Sequence, residues 1–112
     1  MVKKPYLSVV IPAYNEALRL GSNINLVLKY LDYHYPNHEL IIVDDGSTDN
    51  TASTVATVIA NHHRAQLISY RPNRGKGYAV RTGVLASHGD VVLFMDADLS
   101  TPLTEIPRIL HF

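Results

Sequence analysis

The chain has 112 residues and a mass of 12.5 kDa, enough for one globular core, so we expect a single domain over residues 1–112. Hydrophobic residues make up 46% of the chain and charged residues 18%, a composition that excludes a disordered protein. Ten Lys and Arg balance ten Asp and Glu, and cysteine is absent. We therefore expect no nucleic-acid binding, no disulfide scaffold and no thiolate metal site.

The first half of the chain predicts two strands and two helices. The β-branched run Leu7–Pro12 predicts a strand that ends at the proline. Apolar residues at three- and four-residue steps predict a helix over 16–33, and Glu39–Asp44 predicts a second buried strand. The turn that follows offers Ser47 or Asp49 as the N-cap of a helix over 52–60.

The second half continues the alternation. Gln66–Tyr70 predicts a third strand, and Tyr78–Ser87 predicts a helix with Val80, Val84 and Leu85 on one side. Val91–Met95 is the most hydrophobic run, which favours a central strand, and a last helix is expected over 102–110. Of the six histidines, those at 34, 38, 88 and 111 are expected in solvent near element ends.

Alternating strands and helices predict an α/β fold with a mainly parallel sheet in the order 3-2-1-4. Polar clusters then follow the carboxyl end of every strand, where open sheets of this class bind ligands. Charge is also sorted, because no acidic residue lies between Asp49 and Asp90 while five Arg and Lys residues do. We expect the fold to join these blocks into a cation site beside an anion-binding groove, with a chance distribution as the alternative. The clusters are Asn15 with Glu16, Asp44 with Asp45, Arg71–Lys76, and Asp96 with Asp98.

The triplet Asp96-Ala97-Asp98 follows the most hydrophobic strand. In an extended segment, residues two apart point to the same side, so the two carboxylates can share one hard cation. Mg²⁺ and Mn²⁺ prefer such oxygen ligands and keep coordination positions for phosphates. The alternative is a solvated turn or helix cap.

Asp44 and Asp45 close the second strand. Adjacent residues point to different sides, so we expect different roles for them. One would accept hydrogen bonds from a base or ribose, and the other would cap backbone N–H groups or orient the cation site. The alternative is simple capping of the following helix.

The stretch Asn73–Gly77 has the composition of a phosphate-binding loop. It is no Walker loop, because that pattern requires glycine at Tyr70 and Ser or Thr at Gly77. It is no dinucleotide fingerprint either, because Val80 stands at the third glycine position. Lys76 or Arg74 can pair with phosphate oxygens, and a mobile surface loop is the alternative.

Four motifs together resemble those of one enzyme family. They are the stretches Leu7–Glu16 (LSVVIPAYNE), Ile42–Asp49 (IVDDGSTD), Asn73–Gly77 (NRGKG) and Phe94–Asp98 (FMDAD). In this order they resemble the family 2 glycosyltransferases of the GT-A fold, over nearly the whole chain. The NRGKG loop and the DADLSTP stretch are most similar to the polyprenyl-phosphate hexosyltransferases, such as the dolichyl-phosphate glucosyl- and mannosyltransferases.

The resemblance implies a Rossmann-like half-domain that binds a nucleotide sugar, with roles for matching positions. The nucleotide pocket would be lined by Pro12, Ala13, Tyr14 and Glu16, with Asp44 and Asp45 near the base and ribose, Lys76 near the diphosphate, and Asp96 and Asp98 on Mg²⁺ or Mn²⁺. Acceptor-side residues of relatives lie in the second half of the domain. The resemblance therefore implies a donor-binding part of a longer enzyme, with catalytic residues beyond 112 and little turnover alone.

The implied reaction moves a hexose from UDP-glucose or GDP-mannose to a polyprenyl or dolichyl phosphate, with inversion at the anomeric carbon. Membrane contact would come only through the missing C-terminal part or the acceptor. Together with the absence of cysteine, this predicts a protein of the cytoplasm or the cytoplasmic face of a membrane.

Three alternatives remain open on the sequence. One is a family 2 glycosyltransferase that acts on a saccharide hydroxyl. Another is a phosphohydrolase, because a strand followed by Asp96 and Asp98 imitates an aspartyl nucleophile with an acid two residues later. The last is a non-catalytic module that binds nucleotide, with a homo-oligomer contact at an unpaired sheet edge.

Overall fold

A computed structural model describes residues 5–100 and 102–110. The prediction that His111 lies in solvent concerns a residue outside this range. Four strands alternate with helices, followed by a 3₁₀ turn at Leu103–Glu105. The elements are β1 (Leu7–Ala13), α1 (Ala17–His34), β2 (His38–Asp45), α2 (Thr51–Ile59), β3 (Ala65–Tyr70), α3 (Lys76–Ala86), β4 (Val91–Phe94) and α4 (Ile106–Leu110).

The four strands form one parallel sheet in the order β3-β2-β1-β4. This confirms the predicted α/β class and strand order. The register places Ala13 opposite Asp44 and Asp45 opposite Tyr70, so the carboxyl ends of β1, β2 and β3 lie side by side. The polar residues that follow these strands are thereby gathered along one edge of the sheet.

The core surrounds β1 and β2, whose residues are almost all buried. Such strands need apolar side chains on both faces, which explains their near-continuous hydrophobic runs. On one face α1 contributes a helical stripe to the core. That stripe consists of Leu20, Ile24, Val27, Leu28 and Leu31, as the three- and four-residue spacing predicts.

The inner side of α3 is not the side that carries its larger apolar residues. Val84 and Leu85 are exposed, whereas Ala79 and Gly83 are the buried residues. A Cβ at Gly83 would lie 2.4 Å from Cγ1 of Val10, so the helix lies too close to β1 for a larger side chain. Close packing of this helix on the sheet therefore requires small residues on its inner face.

Two further expectations are wrong. β4 pairs with β1 alone in the part of the chain that the structure describes, so it is an edge strand, and Phe94 is 55% exposed. Hydrophobicity alone does not distinguish an edge strand from a central one. His38, expected in solvent, is instead buried at the start of β2, where its Nδ1–H donates to the Tyr35 carbonyl at 2.8 Å. His88 is exposed, as expected, and pairs with Glu39.

Within residues 5–100 and 102–110, no helix combines the length and the hydropathy needed to cross a bilayer.

Candidate functional site

A cavity of about 370 Å³ opens at the carboxyl edge of the sheet. Residues from the ends of β1, β2, β3 and β4 all contribute to it, which confirms that the polar clusters converge. Eight of the nine predicted site residues line this cavity, and Asp44 does not. The lining comprises Pro12, Ala13, Tyr14, Glu16, Asp45, Asn73, Gly75, Lys76, Asp96, Ala97 and Asp98. Their contacts with a ligand stay predictions.

The loop after β1 is fastened to the loop after β2 by Asn15. This residue has a left-handed backbone (φ 53°), which turns the chain sharply after Tyr14. Its Oδ1 accepts the backbone N–H of Thr48 at 2.9 Å, and its own N–H donates to Oγ of Ser47 at 3.0 Å. The two loops are thus held as one wall, with Tyr14 45% exposed at the cavity.

The N-cap of α2 is Asn50, so neither Ser47 nor Asp49 occupies the predicted cap position. Oδ1 of Asp49 accepts the backbone N–H of Thr51 at 2.9 Å, so Asp49 satisfies an N–H of the first turn. The side chain of Ser47 instead accepts a hydrogen bond from Asn15 and does not cap the helix. Oγ1 of Thr51 accepts the N–H of Glu16 at 3.0 Å, which adds a second tie between the two loops.

Asp44 is the predicted site residue that the structure places outside the cavity lining. It is 3% exposed and lies outside the cavity lining. Its Oδ1 accepts the N–H of Ser47 at 3.1 Å, and its Oδ2 accepts the hydroxyl of Ser69 at 2.9 Å. The alternation of a strand sends one of two adjacent side chains away from the cavity, and here that residue is Asp44.

Asp45 is also 3% exposed, yet it reaches the cavity wall. Oδ1 accepts the Tyr70 hydroxyl at 2.6 Å and the Arg74 N–H at 2.9 Å. Oδ2 accepts Nδ2 of Asn73 at 2.9 Å and the N–H of Gly75 at 3.0 Å. Burial together with the bond to Asp45 raises the pKa of Tyr70 far above its ordinary value. The buried charge is therefore fully hydrogen-bonded by the loop after β3.

The loop after β3 lies directly on the turn after β2. Gly46 has a φ of 72°, and a Cβ there would lie 2.3 Å from the backbone N of Asn73. Only glycine permits both this conformation and this approach. The bonds to Asp45 anchor the loop to the end of β2. Helix α3 begins at Lys76, two residues earlier than predicted.

Lys76 faces Asp96 across the cavity. Its Nζ donates to Oδ1 of Asp96 at 2.5 Å, and the ammonium lies 5.8 Å from the centre of the Phe94 ring. The hydrogen bond from Lys76 holds the pKa of Asp96 below its ordinary value, and the Ser100 hydroxyl, 3.2 Å from Oδ2, acts in the same direction. The side chain of Asp96 is 43% exposed, so its carboxylate stays open to the cavity.

The Asp96–Asp98 segment forms a turn instead of the predicted extended chain. The N–H of Leu99 donates to the carbonyl of Asp96 at 3.0 Å, and Leu99 has a φ of 54°. Nδ2 of Asn23 donates to the Ala97 carbonyl at 2.8 Å, which ties the turn to α1. Oδ1 of Asp98 accepts the N–H of Ser100 at 3.0 Å. Asp96 and Asp98 both line the cavity, so the turn is compatible with the predicted cation site.

The donor set of this turn fits a hard divalent cation. Asp96 and Asp98 offer carboxylate oxygens at the cavity, which are the ligands that Mg²⁺ and Mn²⁺ prefer. Among the residues that the structure describes, no cluster of three or more His, Asp or Glu residues forms a complete cage. Two carboxylates suit an ion that completes its coordination with water and substrate phosphates.

The fold and the site define the class. The sheet order and the cavity at its carboxyl edge are those of the nucleotide-sugar-binding half of a GT-A glycosyltransferase, and solved structures that share this fold are of that class. Residues 8–112 match the model of glycosyl transferase family 2, and the chain belongs to this family. Membership favours the glycosyltransferase interpretation over the phosphohydrolase.

Two curated relatives are each 40% identical to this chain. One is the dolichyl-phosphate beta-glucosyltransferase of Dictyostelium discoideum, aligned over 93% of this chain and 34% of its own length. The other is the undecaprenyl-phosphate 4-deoxy-4-formamido-L-arabinose transferase of Proteus mirabilis, aligned over 93% and 32%. The chain thus spans about a third of the length of these relatives.

A solved structure shares the fold. The mannosyltransferase of Pyrobaculum calidifontis, in complex with GDP-Man and Mn²⁺, superposes with a TM-score of 0.75 at 31% sequence identity. The match covers 86% of this chain and 28% of that protein.

Sequence reasoning missed several residues that build the site. The sequence marked Asn15 only by its place after the first strand. Nothing in the neighbouring residues indicated its hydrogen bonds to the loop after β2. Tyr70 and Asn73 were not connected with Asp45, which lies more than twenty positions earlier. Asn23 occupies an ordinary helix position, and no local pattern marks it.

Proposed function

We propose that this chain is the donor-binding part of a longer glycosyltransferase that moves a hexose from a nucleotide sugar to a polyprenyl or dolichyl phosphate. One observation carries the proposal. A single cavity joins an open acidic turn, Asp96–Asp98, to a lysine at a helix start and to the loops after β1 and β2. These are the groups that a nucleoside diphosphate and its cation require.

Different residues of the chain would bind different parts of the donor. Pro12, Ala13 and Tyr14 form the wall for the nucleoside, and Glu16 lies at its rim. Lys76 stands where it can leave Asp96 and pair with a phosphate oxygen. Asp96 and Asp98 would hold Mg²⁺ or Mn²⁺, which, when bound, neutralises the charge of the departing nucleoside diphosphate.

The acceptor is inferred from the relatives. Two proteins at 40% identity carry names that specify dolichyl and undecaprenyl phosphate. A phosphate acceptor already bears the negative charge of a nucleophile, so attack at the anomeric carbon with inversion needs no dedicated general base. A saccharide hydroxyl would need one. The proposal includes a location in the cytoplasm or at the cytoplasmic face of a membrane, with membrane contact through the acceptor or further chain.

The donor nucleotide separates two versions of the proposal. The names of the glucosyltransferase relatives specify glucose as the transferred sugar, whereas the mannosyltransferase structure holds GDP-Man, so UDP-glucose and GDP-mannose are the two donors to compare. Calorimetric titration with each nucleotide sugar, with and without Mn²⁺, distinguishes them. We expect one donor to bind at least about tenfold more tightly with Mn²⁺ than without it. Binding of neither donor under any condition would contradict the proposed function.

A further inference from the structure

Four of the five basic residues in the acid-free stretch of the sequence lie outside the cavity, so donor binding leaves most of the sorted charge unexplained. Arg74 lies just before α3 and Arg81 in its middle, and both are exposed. Together with Tyr78 and Leu85 they recur at steps of four, three and four residues, the spacing of one helix face. We call these four residues, Arg74, Tyr78, Arg81 and Leu85, the α3 stripe.

The α3 stripe faces away from the sheet. Ala79 and Gly83, on the opposite side of the helix, are buried, whereas Tyr78 is 45% and Leu85 75% exposed. The guanidinium of Arg74 lies 5.3 Å from the centre of the Tyr78 ring, so a cation and an aromatic ring share this surface. In the part of the chain that the structure describes, no carboxylate forms an ion pair with either arginine. The stripe therefore combines unpaired positive charge with uncovered apolar area.

Helix α1 shows that exposed leucines alone do not define such a surface. Leu26 is 54% exposed on α1, in a helix that also carries the exposed charges of Lys29 and Asp32. Near the start of the same helix, Nη2 of Arg19 pairs with Oε2 of Glu16 at 3.0 Å. Charges of both signs lie along α1, so its field is largely cancelled. The α3 stripe differs because its charges have one sign.

We propose that the α3 stripe binds the anionic surface of a lipid bilayer. The two arginines would pair with lipid phosphates, and Tyr78 would lie at the headgroup level, where tyrosine is enriched in membrane proteins. Leu85 would enter the boundary with the acyl chains, as the apolar residues of interfacial helices do. Lipid charge complements the stripe, and each basic residue near such a surface strengthens binding.

The position of the stripe suits the proposed function, on which this inference rests. A polyprenyl phosphate resides in a bilayer because of its long hydrocarbon chain. The stripe begins at Arg74, and the next residue, Gly75, lines the cavity. A bilayer that lies along α3, over a length of about 16 Å, would therefore adjoin the cavity proposed to hold the donor. This contact would add to those made through the acceptor or further chain.

Vesicle flotation tests the charge and the apolar part of the stripe separately. The chain should bind vesicles of phosphatidylcholine mixed with phosphatidylglycerol at least about tenfold more tightly than vesicles of phosphatidylcholine alone, and salt should weaken this binding. Arg81→Gln should weaken it about fivefold and Leu85→Gln about threefold. On α1, the matched controls Lys29→Gln and Leu26→Gln should bind as the wild type does.

Two outcomes of the flotation would overturn the proposal. Equal losses in the α1 controls would show that the stripe is not the contact. No binding of the wild type to anionic vesicles would leave the stripe to a protein partner with an acidic surface.

A tryptophan probe locates the contact without relying on affinity. The chain contains no tryptophan, so Leu85→Trp and Leu26→Trp each introduce a single fluorophore at an exposed position. With anionic vesicles, emission of Leu85→Trp should shift to shorter wavelength and be quenched by brominated lipid, because the indole leaves water. Emission of Leu26→Trp should not change. A shift in Leu26→Trp alone, or in neither variant, would contradict the proposal.

Nucleotide titration separates a failure of this inference from a failure of the proposed function. Arg81→Gln and Leu85→Gln should bind UDP or GDP with Mn²⁺ as tightly as the wild type, since neither residue lines the cavity. A loss of nucleotide binding as large as the loss of vesicle binding would assign the stripe to the donor site and overturn the inference. If the wild-type chain binds neither nucleotide, the proposed function falls, whereas stripe-dependent vesicle binding still supports the membrane contact.

Discussion

The two acidic pairs at the carboxyl edge of the sheet have opposite surroundings. Asp44 and Asp45, after β2, are each 3% exposed, and protein donors occupy their oxygens. Asp96 and Asp98, after β4, lie in an open turn, where the Asp96 side chain is 43% exposed. Buried carboxylates must be satisfied by the protein itself, so the first pair builds the site. The second pair keeps oxygens available for a cation.

The comparison predicts that substitutions at the carboxyl end of β2 mainly lower the stability of the fold. Gly46→Ala should give the largest effect, a loss of about 2–4 kcal/mol in the free energy of unfolding, because its Cβ would meet the Asn73 backbone at a positive φ. Urea denaturation measures the change. Gly77→Ala is the matched control, since no atom lies within 4 Å of a Cβ there. Equal stability of the two variants would contradict the close packing of the loops.

Acid-to-amide changes should separate the two pairs. Asp96→Asn should weaken Mn²⁺-dependent nucleotide binding at least about tenfold and change stability by less than about 0.5 kcal/mol, because the residue is open to solvent. Asp44→Asn should instead cost about 1 kcal/mol of stability through its buried hydrogen bonds. Calorimetry and denaturation on both variants provide the comparison. If Asp96→Asn binds the nucleotide and Mn²⁺ as tightly as the wild type, the cation assignment is wrong.

Lys76→Gln should have two opposite effects on binding. Affinity for Mn²⁺ alone should rise about threefold, since the ammonium no longer competes for Asp96. Affinity for the nucleotide with Mn²⁺ should fall about tenfold, because a phosphate loses its cationic partner. Titrations with Mn²⁺ alone and with nucleotide test each part, with the exposed Lys29→Gln as control. Weaker binding of bare Mn²⁺ would count against competition at Asp96.

The smallest predicted effect lies at the opposite end of β2. Burial lowers the pKa of His38 below its ordinary value of 6.5, and Arg64 and His62 act in the same direction, against Asp32 and the Tyr35 carbonyl. The unfolded chain then binds more protons just below pH 6.5, so stability is full above that pH and falls as the pH decreases through it. We expect a loss below about 1 kcal/mol.

Thermal unfolding from pH 7.5 to 5.5 measures this dependence. His38→Gln retains an N–H for the Tyr35 carbonyl and should show a flatter profile. A profile as steep as that of the wild type would assign the dependence to another group.

The sheet was predictable because its signals are local. Apolar runs marked all four strands, and turns placed the polar clusters at their carboxyl ends. The division of labour between the acids was not predictable, because Asp45 obtains its donors from residues 25 to 30 positions later. The inner face of α3 was not predictable for a related reason, since the distance between Gly83 and Val10 is set by tertiary packing.

Paramagnetic broadening by Mn²⁺ tests the central claim most directly, because it locates the ion. With UDP or GDP present, amide signals of Gly75, Lys76 and residues 96–100 should broaden first. Signals around Glu39 and His63, at a second cavity of about 330 Å³ at the amino edge of the sheet, should stay sharp. Broadening centred on that second cavity, or no selective broadening, would contradict a cation-assisted nucleotide site at the carboxyl edge.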